Sequence, residues 1–304
     1  MIHLYRSRGL RLFFMMLPFM ILVFFLSYLP LSGWIYSLYY YKPGLPIGPD
    51  NFVGLDNFRM IIQDKYAVED ILRVLRNTFA MSLIGLLTSP LPMIFAIFLN
   101  EIGRVSYRKT VQTITTIPNF ISWVLVYAVA YAMFSVDDGF VNRGLVRLGL
   151  VEQGIAFLAS RDHVWLSMWL WGIWKGLGWS AIMYIAAITS IDQELYEAAR
   201  VDGAGRFGCI WYITIPGLLP TYFVLLILSI ANFINNGMEQ YFVFQNPMNK
   251  DWIEVLDLYV YNQGFVGINY SYSIAVGILK SLVSLVLLFL ANGASKLFRK
   301  ESIF

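Results

Sequence analysis

Two lysines, Lys175 and Lys280, stand inside long apolar runs of this 304-residue chain. A charge at the centre of a membrane-spanning helix costs roughly 2.5–3.5 kcal/mol on insertion scales, so such a residue marks a functional position by default. Lys175 falls about eleven residues into its run. At 1.5 Å per residue that is about 16 Å, near the middle of a roughly 30 Å hydrocarbon core. Trp171, Trp174, Gly176 and Trp179 surround it. An ammonium among indole rings suits a polyhydroxylated ring or a carboxylate; it also suits a backbone carbonyl at an interface with a second subunit. Lys280 enters about 10 Å from the outer end of the last run and can reach toward water. A third feature is the trio Ser229, Asn232 and Asn236, spaced i, i+3, i+7 on one helical face. A polar stripe on an apolar helix needs another helix or a hydrated path against it.

Reaction chemistry has little else to work with. There is one cysteine, Cys209, and there are two distant histidines, His3 and His163. An internal disulfide is excluded and no metal site is indicated. No Gly-Lys dipeptide occurs, so no phosphate-binding P-loop is present. The net charge of +3 is spread along the chain, which leaves no footprint for nucleic acid.

The elements that must position these residues are membrane spans. Hydrophobic residues make up 58% and charged residues 13%, and mean hydropathy is +0.63. Six apolar runs are long enough to cross a bilayer, roughly 12–31, 78–99, 114–136, 164–188, 218–235 and 273–291. The first follows Arg6, Arg8 and Arg11 and has bulky residues throughout with no small-residue cleavage site, so it reads as an uncleaved anchor. Lys and Arg are about twice as dense on the side holding the N-terminus, the loops 100–113 and 189–217, and the tail, which makes that side cytoplasmic. Arg73 and Arg76 fall on the other side, beside Asp64, Glu69 and Asp70, as if carried on an amphipathic surface helix. Pro90 and Pro92 predict a kinked second span, and Pro118 a similar effect at the start of the third. Trp165, Trp169 and Tyr39–Tyr41 fit an interfacial belt. Glu239, Asp251 and Glu254 sit in the last outer loop, where they are available to an outside partner.

The loop 189–217 is the most specific stretch. Ser190 or Asp192 can cap a helix beginning near Gln193. Leu195, Ala198 and Ala199 then share a face, narrow enough to enter a groove, with Glu197 offering a carboxylate beside it. Gly203 supplies a left-handed stop and Pro216 the entry to the next span.

The order Glu197-Ala198-Ala199, Asp202-Gly203-Ala204 and Ile213-Thr214-Ile215-Pro216 resembles the EAA loop of binding-protein-dependent ABC importer permeases. Asn51–Phe58, Leu75–Phe79, Gln112–Trp123, Asp192–Pro220, Gly237–Gln240 and Tyr272–Lys280 are similar to the branch importing oligosaccharides. The resemblance implies an all-α polytopic protein with six transmembrane helices and the type I importer architecture. It implies a non-catalytic permease in the bacterial plasma (inner) membrane that pairs with a second homologous permease. Two cytoplasmic ATPases hold ATP and Mg and dock through Glu197, Ala198, Ala199, Asp202, Gly203 and Pro216. An extracellular binding protein delivers the oligosaccharide, acidic ones included. By the same resemblance Trp174, Lys175, Trp179, Ser229, Asn232 and Asn236 contact the cargo, and the charge of Lys280 within its span adds that residue to the candidate pathway. The expected organisation is a cytoplasmic N-terminus (1–11), an anchor (12–31), an outer cap (32–72), a permease core (73–292) and a cytoplasmic tail (293–304). A permease for a non-sugar solute and a self-contained secondary transporter are the alternatives; an integral-membrane enzyme would need clustered His, Asp or Glu, and none is present.

Overall fold

The computed structural model describes residues 2–299 apart from 45, with side chains from Gly9 to Gly293. The side chains of Arg6, Arg8, Lys296 and Arg299 and the whole of Lys300, which enter the orientation reading, lie outside the described residues. The architecture is all-helical; the strand-like feature among the described residues is an isolated bridge between Tyr39 and Phe52. The chain divides into two compact units, Met1–Val68 with Val260–Leu279, and Glu69–Tyr259 with Lys280–Phe304.

The first unit begins with α1 (Ile2–Val23), which continues through a π turn and a 3-10 stretch to Leu38. From Gly9 to Leu38 this is a 30-residue helical run whose most apolar stretch buries none of its residues. The anchor is therefore longer at both ends than 12–31. Asn57, on α2 (Asp56–Gln63), donates its amide to the Ser37 and Tyr39 carbonyls at 2.8 and 3.4 Å, pinning the chain beyond the helix. The Tyr41 N–H donates to Ser271 Oγ at 3.0 Å in the same unit.

The second unit takes up α3 (Lys65–Leu87) and α4 (Leu91–Asn100), separated by a turn at Pro90. Then come α5 (Val105–Thr116), a 3-10 turn (Ile117–Phe120) and α6 (Trp123–Phe134). The third span is bent next to Pro118, where a kink was expected, and its two halves turn through 106°. Pro118 lies in the 3-10 turn, and Ser122 caps α6 by accepting from the Leu125 N–H. After α7 (Phe140–Arg147) comes α8 (Val164–Thr189), against which α4, α5 and α11 all pack. Ala96, Ile97, Ala181, Tyr184, Ile188 and Leu218 form the core of that packing. Gly178 lets α5 approach so closely that a Cβ there would overlap the Thr115 carbonyl.

Beyond α9 (Gln193–Val201) the fifth span begins at Arg206 rather than 218. α10 (Arg206–Cys209), a π turn (Ile210–Thr214) and α11 (Ile215–Ala231) run as one 26-residue helix. Short helices α12 (Glu239–Phe244), α13 (Lys250–Ile253) and α14 (Leu256–Tyr261) precede α15 (Tyr270–Arg299). Among the described residues, four helices are long and apolar enough to cross a membrane, or five if the bent pair counts as one span. Helix α8 has 26 residues, about 39 Å at 1.5 Å per residue, but its tryptophans, glycines and Lys175 lower its hydropathy.

The loop 236–272, expected on the outer side with its charges free, differs from that expectation. Ile253, Val255, Leu256, Leu258 and Tyr259 are among the most buried residues of the protein. Glu254 is 2% exposed and pairs with Arg73 at 2.9 Å, so it is not free to meet an outside partner. Arg73 also pairs with Asp70 at 2.9 Å, and Asn77 donates to the carbonyls of Asp251 and Glu254. Arg73 and Arg76 thus lie on α3 itself, where Asp70, Glu254 and the Asp251 carbonyl offset their charge. Asp251 and Glu239 remain exposed.

Candidate functional site

The loop between α8 and α10 is built by local signals. Asp192, not Ser190, caps α9: its backbone is extended and Oδ1 accepts the Glu194 N–H at 3.0 Å. Ser190 instead donates to the Ala187 carbonyl behind it. At the other end Gly203 has φ +83°. Its N–H meets the Arg200 carbonyl at 3.1 Å, and the Ala204 N–H meets the Ala199 carbonyl at 2.8 Å. This pair of bonds is the Schellman stop, which closes a helix and satisfies its last carbonyls. Tyr196 ties the helix to the fifth span through Thr214 Oγ1 at 2.9 Å.

Glu197, Ala198, Asp202 and Gly203 are exposed, and Ala199 is half-buried. Sequence reasoning missed the apolar residues that continue this surface: Val201 and Phe207 are 88% and 82% exposed, and Trp211 and Tyr212 are nearly as open. Phe207, Trp211 and Tyr212 lie on the helical start at Arg206, which the apolar run beginning at 218 does not reveal. Pro216 is likewise not the entry to the span but lies inside it. A proline ring clashes with the carbonyl four residues back, here Tyr212, which sits in the widened π turn. Arg108, Arg200 and Arg206 line a polar cavity of about 590 Å³ at the C-terminal ends of α4 and α8. Cations are favoured there by the helix dipoles.

The residues expected along a pathway fall into two groups. Trp174, Trp179, Ser229 and Asn232 are exposed, and Ser229 and Asn232 bond their own helix through the Leu225 and Leu228 carbonyls. The stripe does not extend to Asn236, because α11 ends at Ala231 with Asn232 as its cap. Asn236 instead donates to Ser82 Oγ at 3.0 Å, with its Oδ1 buried and unpaired.

Both lysines are committed within the chain. Lys280 forms an ion pair with Asp257, whose other oxygen accepts the Gly237 N–H at 2.8 Å. Asp257 lies outside every apolar run, so the sequence offered no partner. Lys175 Nζ donates to the Asn119 and Pro118 carbonyls at 2.7 and 3.3 Å and lies 5.5 Å from the Trp123 ring centre. Trp165 and Trp169 donate to the Trp252 carbonyl and Thr88 Oγ1. With Trp252 they line a cavity of about 820 Å³. Nearby, burial above all, with the Asp257 carboxylate second, holds the Tyr241 phenol above the usual tyrosine range, so it stays neutral.

An exposed, doubly capped helix between two long spans, with its glycine stop in place, is the feature that comparison with known proteins can weigh. Residues 88–300 match the family model described as binding-protein-dependent transport system inner membrane component. The chain belongs to this family. It is an ABC importer permease, and its EAA loop is α9 with the turn that follows. Protein LplB of Bacillus subtilis (strain 168) is 37% identical over 96% of this permease and 91% of its own length. The polygalacturonan/rhamnogalacturonan transport system permease protein YteP of the same organism is 36% identical, over 96% and 90%. A solved bacterial ABC transporter that imports the acidic polysaccharide alginate contains a chain with TM-score 0.84 and 32% identity. The match covers 98% of this permease and 99% of that chain.

Proposed function

We propose that this permease forms half of the translocation pathway for an oligosaccharide, acidic ones included, in an ATP-driven importer. The observation that carries the reading is α9: rigid at both ends, exposed along Glu197 and Ala198, and bonded to the fifth span through Tyr196. A bar held that way passes displacement from a docked partner into the span, which a loose loop would not do. Two cytoplasmic ATPase subunits, holding ATP and Mg, are the partners it suits; the permease contributes no catalysis. A second homologous permease completes the pathway, and a binding protein delivers the cargo. Six spans with both termini cytoplasmic place α9 on the ATPase side. The cargo class rests on the relatives: one transports polygalacturonan and rhamnogalacturonan. Another was solved with its alginate pentasaccharide-bound periplasmic protein.

Trp174, Trp179, Ser229 and Asn232 are the pathway residues this reading retains. Their side chains are exposed, and indole faces stack on sugar C–H surfaces. Lys175, Asn236 and Lys280, expected on the same pathway, hold partners within the chain.

The test is purification of the tagged permease in mild detergent from its native host, with mass spectrometry of the proteins retained. A second permease and a P-loop ATPase are expected with the native chain. With Glu197→Arg the ATPase should fall at least about tenfold, equivalent to about 1.4 kcal/mol, while the second permease stays. Recovery of the native chain alone, even after cross-linking, would sink the importer reading.

A further inference from the structure

Lys175 is a puzzle of charge. It is about 16 Å into α8, at the depth where an ammonium is costliest. Yet the partners described for it are two neutral carbonyls and a ring, with no carboxylate among them. Those carbonyls, Pro118 and Asn119, close the first arm of the third span, where the chain leaves the 3-10 turn and bends by 106°. A helix end leaves its last carbonyls unpaired, and in hydrocarbon no water replaces the missing donors. The Ile121 N–H serves Pro118 at 3.2 Å; the lysine supplies the rest from a neighbouring helix.

We infer that Lys175 is a positioning residue for transport: it holds the third span in its broken form, and the break in turn presents the aromatic surface beside it. The break puts Phe120 at the corner, 73% exposed and edge-on to Trp179 at 5.6 Å. It also brings Trp123 over the ammonium. Without a donor at Lys175, the chain regains its lost bonds by running α5 into α6, since residues 121 and 122 are the extended link between them. Straightening would carry Phe120 off Trp179 and remove the corner. The three-proton geometry of an ammonium matters here; an aliphatic chain of equal length would fill the same space and satisfy neither carbonyl.

The inference rests on the importer reading for its consequence and on geometry for its test. Tyr107→Cys and Met133→Cys place spin labels on exposed sites of the two arms, in a chain with Cys209→Ser, purified as the full complex into nanodiscs. At 1.5 Å per residue an unbroken helix sets these positions about 39 Å apart and the 106° bend about 24 Å. Native and Lys175→Arg complexes should give the short distance. Lys175→Met should broaden toward the long one, with ATP hydrolysis by the complex falling in parallel and Lys175→Arg restoring it. Lys175→Gln, which keeps an amide donor but no charge, should fall between and serves if the methionine variant does not assemble. A short, native-like distance in the methionine variant, or in the glutamine variant in its place, overturns the inference. Whether an ATPase accompanies the native chain is read separately, so failure of the importer reading would be seen on its own.

Discussion

Gly203 turns the chain through φ +83°, where a Cβ costs about 1–2 kcal/mol. Gly203→Val should unravel the last turn of α9 and reduce ATPase recovery in the pull-down, whereas Gly203→Asn, which tolerates this region, should keep most of it. Equal recovery from the two variants would mean that the stop is not what holds the docking surface. Gly203 could be read from sequence because its role is local, and the cap could be narrowed to Ser190 or Asp192, of which the structure uses Asp192. The two lysines could not. Lys175 finds acceptors 56 and 57 residues away, and Lys280 finds Asp257 in a segment with no membrane signature. A sequence shows that a buried charge must have a partner but not which loop folds back to provide it.

Helices, too, were recovered where periodicity and composition agree and missed where the backbone departs from α geometry. In the run 114–136 Pro118 marks the place of the bend but not its size, because hydropathy does not register the direction of the chain. The fifth span hides its start, because Pro216 looks like a helix beginning and is held within the helix by a π turn. The buried segment between α12 and α14 is hidden by Glu254, a charge that is paired with Arg73 rather than solvated. Close packing between elements gives a sharper test. Gly178→Ala should lower the unfolding temperature of the complex in detergent, because the methyl group meets the Thr115 backbone and α5 must move off α8. Gly176→Ala, two residues earlier on the same helix with open space at its Cβ, should be neutral or gain up to about 1 kcal/mol from helix propensity. The same loss from both would indicate a general intolerance of α8 and not a close contact.

The molecule as a whole exposes apolar surface in two settings. Along its spans, exposure of Leu83, Leu166 and Phe289 is what a bilayer allows. At Val201, Phe207, Trp211 and Tyr212 it lies on and beside α9, on the surface proposed to dock on the ATPase. Together with a first helix that buries nothing of its own in its most apolar stretch, this is surface that the proposed assembly would cover. Anything that binds the folded state raises the apparent unfolding temperature. The permease co-purified with its second permease should therefore unfold several degrees above the permease alone, by an amount that falls on dilution. Identical curves would show that the single chain is self-sufficient.

The π turn at Ile210–Thr214 has a further consequence for direction. A π turn holds one residue more than the α turn it replaces, and one residue is about 100° of rotation about a helix axis. The extra residue therefore sets the azimuth at which α9 leaves the membrane. Deleting it would keep every cap, every side chain of the docking surface and the length of the span almost unchanged, and still point the surface about a quarter-turn away from its partner. Two permeases with matching EAA loops but different π turns would thus present the same key to different sides of the lock.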